Sequence, residues 1–149
     1  SPYATRPWQH VLEPLSGYLI LAQKSYEALT LKAIKAIRTL ASAFNCGPEF
    51  YTNRTVEEVV KEVLKHVVGQ WTDVHNPFAK HEAFSLNWSI VKSYKILNWK
   101  PLWNFARTIV ETVTWYQRST EIMGLPEKIQ KLMCDQISSY QTEKKECFS

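Results

Sequence analysis

Apolar side chains recur at helical spacing soon after the N-terminus: Leu15, Leu19, Ala22 and Tyr26, with Tyr18, Ile20 and Leu21 widening the stripe. This predicts a helix over 13–28, with Pro14 tolerated in its first turn. Just before it, residues 6–11 alternate in character, which predicts a short strand carrying Arg6, Trp8 and His10 on one face. Leu31, Ile34, Ile37 and Leu40 fall on every third position, giving a short helix or an extension of the first. The run "SAFNCGP" reads as a buried strand ended by Gly47-Pro48.

The clearest helical signal is over 55–68. Thr55 and Glu58 form a capping-box pair, Val56, Val59, Val60, Val63, Leu64 and Val67 make one apolar face, and Gly69 stands at a C-cap position. "WTDVHN" is a strand candidate followed by a turn at Asn76-Pro77, and Leu86 with Trp88 suggests another strand. A helix over 89–97 must stop before Trp99-Lys100-Pro101, because proline disfavours helical geometry in the residue ahead of it. Asn104 can cap a helix over 105–121 with Phe105, Ile109, Val113 and Tyr116 inward. After Gly124 a further helix frays into a charged tail, the segment 122–149. No linker or internal repeat divides residues 1–149, so the expectation is a single α/β domain, helix-dominated, with few short strands.

Composition refines this picture. Six Trp and seven Tyr among 149 residues suit either a core or a ligand pocket. The net charge of +4 is scattered, which argues against a nucleic-acid groove but is compatible with an anionic small molecule. Cys46, Cys134 and Cys147 show no C-x-x-C spacing, so neither a zinc site nor a disulfide framework is indicated. A reducing cytoplasm is the expected compartment, and no apolar run approaches the roughly 20 residues of a membrane span. The chain begins without Met and with a strand almost under way, as expected of a fragment of a longer protein.

The chemistry of a complete enzyme is missing. Four glycines, at 17, 47, 69 and 124, form no G-x-G-x-x-G turn, Walker loop or nucleophile elbow. His81-Glu82 lacks the second His of a zincin, and His10, His66, His75 and His81 show no ligand spacing. Glu57, Glu58 and Glu143 read as helix-face charges.

Taken in order, "RPWQHVLEPLSGYLILAQKSYE", "AFNCGP", "TVEEVVKEVLKHV", "HEAFSL" and "LNWKPLWNFARTIVETVTWYQ" resemble the C-terminal part of the CDP-glucose 4,6-dehydratase family. These are extended short-chain dehydrogenase/reductases. The resemblance covers about residues 4–118, and its "R-P-W-Q-H-V-L-E-P-L" run is the most particular to that branch. It implies an upstream Rossmann domain that binds NAD and carries a Tyr-x-x-x-Lys pair, neither of which this sequence contains. The whole enzyme would oxidise the sugar at C4, lose water across C5–C6 and return the hydride to C6. This part would contact the nucleotide-sugar substrate, hold no cofactor itself, and work with its upstream domain; a homodimer is also open.

The family's strand arginine, which faces the nucleotide diphosphate, maps to Arg6, and a guanidinium fork suits phosphate oxygens. His81 and Glu82 of "H-E-A" lie where such enzymes contact the nucleotide. Trp8 could pack beneath a base or sugar or belong to the core, and His10 could order the strand-to-helix corner or touch ligand. Ser89 stands where the family has an acidic residue, with Lys92 at the basic position. The segment 30–41 is richer in helix formers than expected, and "PEFYTNR" replaces a more acidic loop. A relative acting on UDP-, dTDP- or GDP-sugars, or a non-catalytic assembly domain, therefore stays open.

Overall fold

The computed structural model describes residues 1–74 and 88–148. In chain order it runs β1 (Thr5–Arg6), α1 (Leu12–Thr30), α2 (Ile34–Leu40), β2 (Arg54–Thr55), α3 (Val56–Val63), a π-helical turn (Ser93–Leu97), α4 (Phe105–Glu121) and α5 (Pro126–Phe148). β1 and β2 pair antiparallel, Thr5 opposite Thr55 and Arg6 opposite Arg54. The helix-dominated expectation holds, while the extended segments are mostly not strands.

The strand expected over 6–11 stops at Arg6. Pro7 offers no N–H to a ladder, and the Trp8 N–H turns back onto the Arg6 carbonyl at 3.1 Å. "SAFNCGP" forms no strand either. Side chains from the segment after residue 88 satisfy its backbone instead: Lys92 Nζ donates to the Ala43 carbonyl at 2.8 Å, and Ser93 Oγ to the Asn45 carbonyl at 2.6 Å. Residues 71–74 carry no strand, Trp88 lies outside any element, and the turn at Asn76-Pro77 and Leu86 fall outside the described residues.

The helices lie close to their expected places, but two of their faces do not. α1 spans 12–30, and Lys32, at φ 51°, breaks it from α2. The apolar stripe of α1 faces solvent, with Leu19 69% and Tyr26 73% exposed, whereas Glu13, Gly17 and Ala28 are buried. Gly17 is needed for close approach, since a Cβ there would collide with Cys46 Sγ. In α3 the capping box closes as expected, Glu58 N–H to Thr55 Oγ1 at 3.1 Å and Thr55 N–H to Glu58 Oε2 at 2.6 Å. That helix ends at Val63, well short of 68, so Gly69 is no C-cap.

Before Pro101 the chain takes a π-helical turn that ends on Asn98 in the left-handed region, φ 54°. The wider π geometry buries Ser93 and Leu97 and delivers Trp99, 0% exposed, to the centre. α4 is capped by Asn104, whose Oδ1 accepts from the Arg107 N–H at 2.9 Å. Ile109 and Val113 point inward, but Tyr116 is 64% exposed. α5 does not fray: it continues through the charged segment, because Tyr140 and Lys144 dock on α1.

The core is organised around Glu13, whose side chain is wholly buried. Its carboxylate accepts the Leu102 N–H at 3.0 Å, the Trp103 N–H at 2.7 Å and the Tyr140 hydroxyl at 2.7 Å. One side chain of α1 thereby holds the loop before α4 and the middle of α5. Glu13→Ala would leave those buried donors unsatisfied and should cost about 3 kcal/mol or more in urea unfolding. Tyr140→Phe removes one donor from a carboxylate that keeps its others and should cost about 1 kcal/mol. Equal losses in the two variants would contradict this account.

Candidate functional site

The two-residue sheet sets Arg6 and Arg54 directly opposite each other, so their side chains share one face. Both residues are half-buried. Arg6 Nη1 donates to the Thr5 carbonyl at 2.9 Å. Arg54 Nη1 donates to the carbonyls of Tyr51 at 3.2 Å and Asn53 at 2.9 Å, and its guanidinium carbon stands 5.4 Å from the Phe105 ring centre. Glu58 Oε1 lies 3.8 Å from Arg54 Nε, an ion pair without a hydrogen bond.

Trp8 joins this corner through its indole, which donates to the Arg54 carbonyl at 3.0 Å. His10 does not share a strand face with Arg6 and Trp8, since the strand has already ended. It is buried edge-on against Trp103, ring centres 4.8 Å apart, and its Nδ1 accepts the Leu12 N–H at 3.3 Å. Burial pushes the imidazole below its ordinary pKa, against a smaller pull from the Glu111 carboxylate. His10 thus opens α1 from a desolvated position. His81 and Glu82 lie outside the described residues.

Beneath the corner lies a polar knot that motif reading passed over. Ser16 Oγ donates to the Glu13 carbonyl at 2.7 Å and accepts from Trp99 Nε1 at 2.9 Å and Lys144 Nζ at 2.7 Å. Burial lowers the pKa of Lys144, partly offset by the Glu13 charge, and burial also raises that of the Cys46 thiol. On the flank, Glu143 accepts from Trp103 Nε1 at 2.8 Å and Arg107 Nη2 at 2.9 Å. Glu143 therefore couples α4 to α5 as well as lying on a helix face. No spacing motif announces Glu13 or Arg54; the sequence signals are only an acidic residue before Pro14 and a basic one before a capping box.

Two cavities adjoin these groups. One of about 470 Å³ lies beside His10 and is lined by Leu15, Trp115, Met133 and Ile137, among others. Gln9, also on its wall, donates Nε2 to the Cys46 carbonyl at 3.0 Å, while its buried Oε1 has no hydrogen-bond partner among the described residues. The other, about 620 Å³, is edged by Phe50, Tyr51, Trp88 and Tyr94 with Glu49 and Lys100.

Among the described residues no cluster of His, Cys, Asp or Glu could hold a metal ion, and no helix is long and apolar enough to cross a membrane. The described residues do not fit a dinucleotide either: two-residue strands build no strand, glycine turn and helix in succession that could cradle a pyrophosphate. What the arrangement brings together is two planar guanidiniums, set opposite each other across the two-residue sheet.

No family model matches the chain. The chain is nevertheless similar to a nucleotide-sugar dehydratase, as its sequence motifs suggest. That relative is the CDP-glucose 4,6-dehydratase of Salmonella typhimurium, 34% identical over 122 residues that make up 78% of this chain. The match covers 31% of the relative's length and falls on a C-terminal part of it.

His10 links this corner to pH. Because its folded pKa lies below the usual 6.5, the unfolded chain takes up the proton first as pH falls. The contribution of a neutral His10 is fully present above that value and is lost as pH drops from 6.5 through the folded pKa. Denaturant unfolding between pH 7.5 and 5 should therefore show a smaller decline in a stable His10→Asn variant. Parallel declines in the two proteins would refute it.

Proposed function

We propose that this chain is the substrate-binding part of an NAD-dependent nucleotide-sugar 4,6-dehydratase of the cytoplasm, with CDP-glucose as its substrate. The observation that carries the reading is the 34% identity to a CDP-glucose 4,6-dehydratase across 78% of the chain. The geometry supports it through Arg6, a permanently charged fork held at the end of β1 and backed by Trp8, His10 and the Glu13 knot. In this reading Arg6 grips the diphosphate, with His81 and Glu82 on the nucleotide and Trp8 and His10 supporting the corner. NAD and the hydride transfers belong to an upstream Rossmann domain of the same protein.

A second reading, a surface for assembly, is favoured by the apolar face of α1. Leu15, Tyr18, Leu19, Tyr26 and Leu29 are all exposed there along one side of a single helix. Both readings can hold together if that face meets the upstream domain or a second copy. Oppositely, Leu19→Glu with Tyr26→Glu should leave ligand affinity intact if the face serves assembly alone.

Titration calorimetry of the chain with CDP-glucose should detect binding, and Arg6→Ala should weaken it about 10- to 100-fold, the range for lost charge-assisted hydrogen bonds. Unchanged affinity in a folded Arg6→Ala variant would overturn the ligand-site reading. The chain supplied with NAD should turn over no CDP-glucose, and measurable turnover would equally overturn the division of labour.

A further inference from the structure

We propose that the cavity of about 470 Å³ between the start of α1 and helices α4 and α5 binds a small uncharged ring compound carrying an amide or lactam edge. This goes beyond the proposed function, which uses neither Gln9 nor the α4 and α5 wall. The volume falls within the range of about 300–1,000 Å³ that takes small organic ligands. Leu15, Trp115, Met133 and Ile137 give it apolar walls, so an apolar ring gains by leaving water there. Among the described residues, no Asp, Glu, Lys or Arg lines the cavity. A charged ligand would lose its hydration without meeting a counter-charge, which selects an uncharged one.

Two fixed polar groups set the ligand's edge. The Gln9 amide is held by its Nε2, which donates to the Cys46 carbonyl at 3.0 Å. That bond settles which end is oxygen, and Oε1 is buried without a donor among the described residues. A buried acceptor left unsatisfied is rare and costs free energy until a donor reaches it. His10 Nδ1 accepts the Leu12 N–H at 3.3 Å, so the neutral ring carries its proton on Nε2. Among the described residues that Nε2 N–H has no acceptor, and burial keeps the ring neutral. The other donors on the wall are already used: Thr112 Oγ1 donates to the Thr108 carbonyl and Gln136 Nε2 to that of Glu111. An acceptor and a donor on adjacent residues match the N–H and C=O that a lactam presents on one edge.

The test is amide and methyl NMR of the full chain titrated with 2-quinolinone, its N-methyl derivative and 2-naphthoate. The lactam should shift the Trp115 indole and the Leu15, Met133 and Ile137 methyl signals together. The N-methyl compound, which has no donor for Gln9, should bind at least about 5-fold more weakly, and the naphthoate anion more weakly still. Gln9→Leu should erase the preference for the lactam over its N-methyl derivative. If Gln9→Leu fails to fold, Ile137→Trp, which fills the cavity from α5, should abolish the lactam's shifts. No shift at the cavity up to the solubility of the lactam would leave Gln9 to a bound water and overturn the proposal. Equal affinity for the two ring compounds, or a preference that survives in a folded Gln9→Leu variant, would overturn it as well.

Discussion

A single carboxylate sets the geometry of this chain. Glu13 sits in the first turn of α1, where an acidic side chain would ordinarily complement the positive end of its own helix dipole. Instead it turns away from α1 and receives backbone donors from the loop before α4 and a phenol from α5. An ionised group taken out of water is costly unless its lone pairs are filled, and three donor groups fill these. The requirement runs both ways. The Leu102 and Trp103 amides, which lie in no helix or sheet, need an acceptor that Glu13 supplies. Ser16, one turn further along α1, extends the same contact to Trp99 and Lys144.

The candidate ligand corner inherits its rigidity from that knot. His10 and Glu13 lie three residues apart, joined by the Glu13 N–H to the His10 carbonyl at 3.0 Å. Trp103 presents its backbone to Glu13 and its ring to His10. Fixing Glu13 therefore fixes where α1 begins, and the short segment 7–11 can then deliver Arg6 in only a narrow range of positions. The Trp8 indole closes the other side by holding β2. A phosphate-gripping arginine gains most when its position is set before the ligand arrives, because little side-chain entropy remains to be lost.

Much of the helical layout was legible from the residues. The capping box at Thr55 and Glu58, the Asn104 cap and the proline stop after residue 98 are local signals, and local hydrogen bonding decides them. Extended segments were not legible. A strand needs a partner, and the alternation in 6–11 says nothing about whether one lies alongside. In "SAFNCGP" the partners turned out to be the side chains of Lys92 and Ser93. Facing was also misjudged along α1: periodicity locates an apolar stripe, but burial went to the opposite side, where a glycine admits Cys46 and a carboxylate admits two amides.

The same distinction explains the site. Arg6 could be singled out because it belongs to a sequence run with a family likeness, whereas Arg54 precedes an ordinary helix start and carries no motif. Only the register of β1 on β2 shows that these two residues, 48 positions apart in sequence, are neighbours. Pairing also supplies the constraint that gives the neighbourhood meaning. Two opposed guanidiniums that share a half-buried face must be reconciled by backbone carbonyls, by an aromatic face or by an anion. The first two serve Arg54 through Tyr51, Asn53 and Phe105, and the Glu58 carboxylate stands 3.8 Å from its Nε as the third. A carbonyl offers only a partial negative charge, so of these three partners the carboxylate is the one that brings a full counter-charge to Arg54.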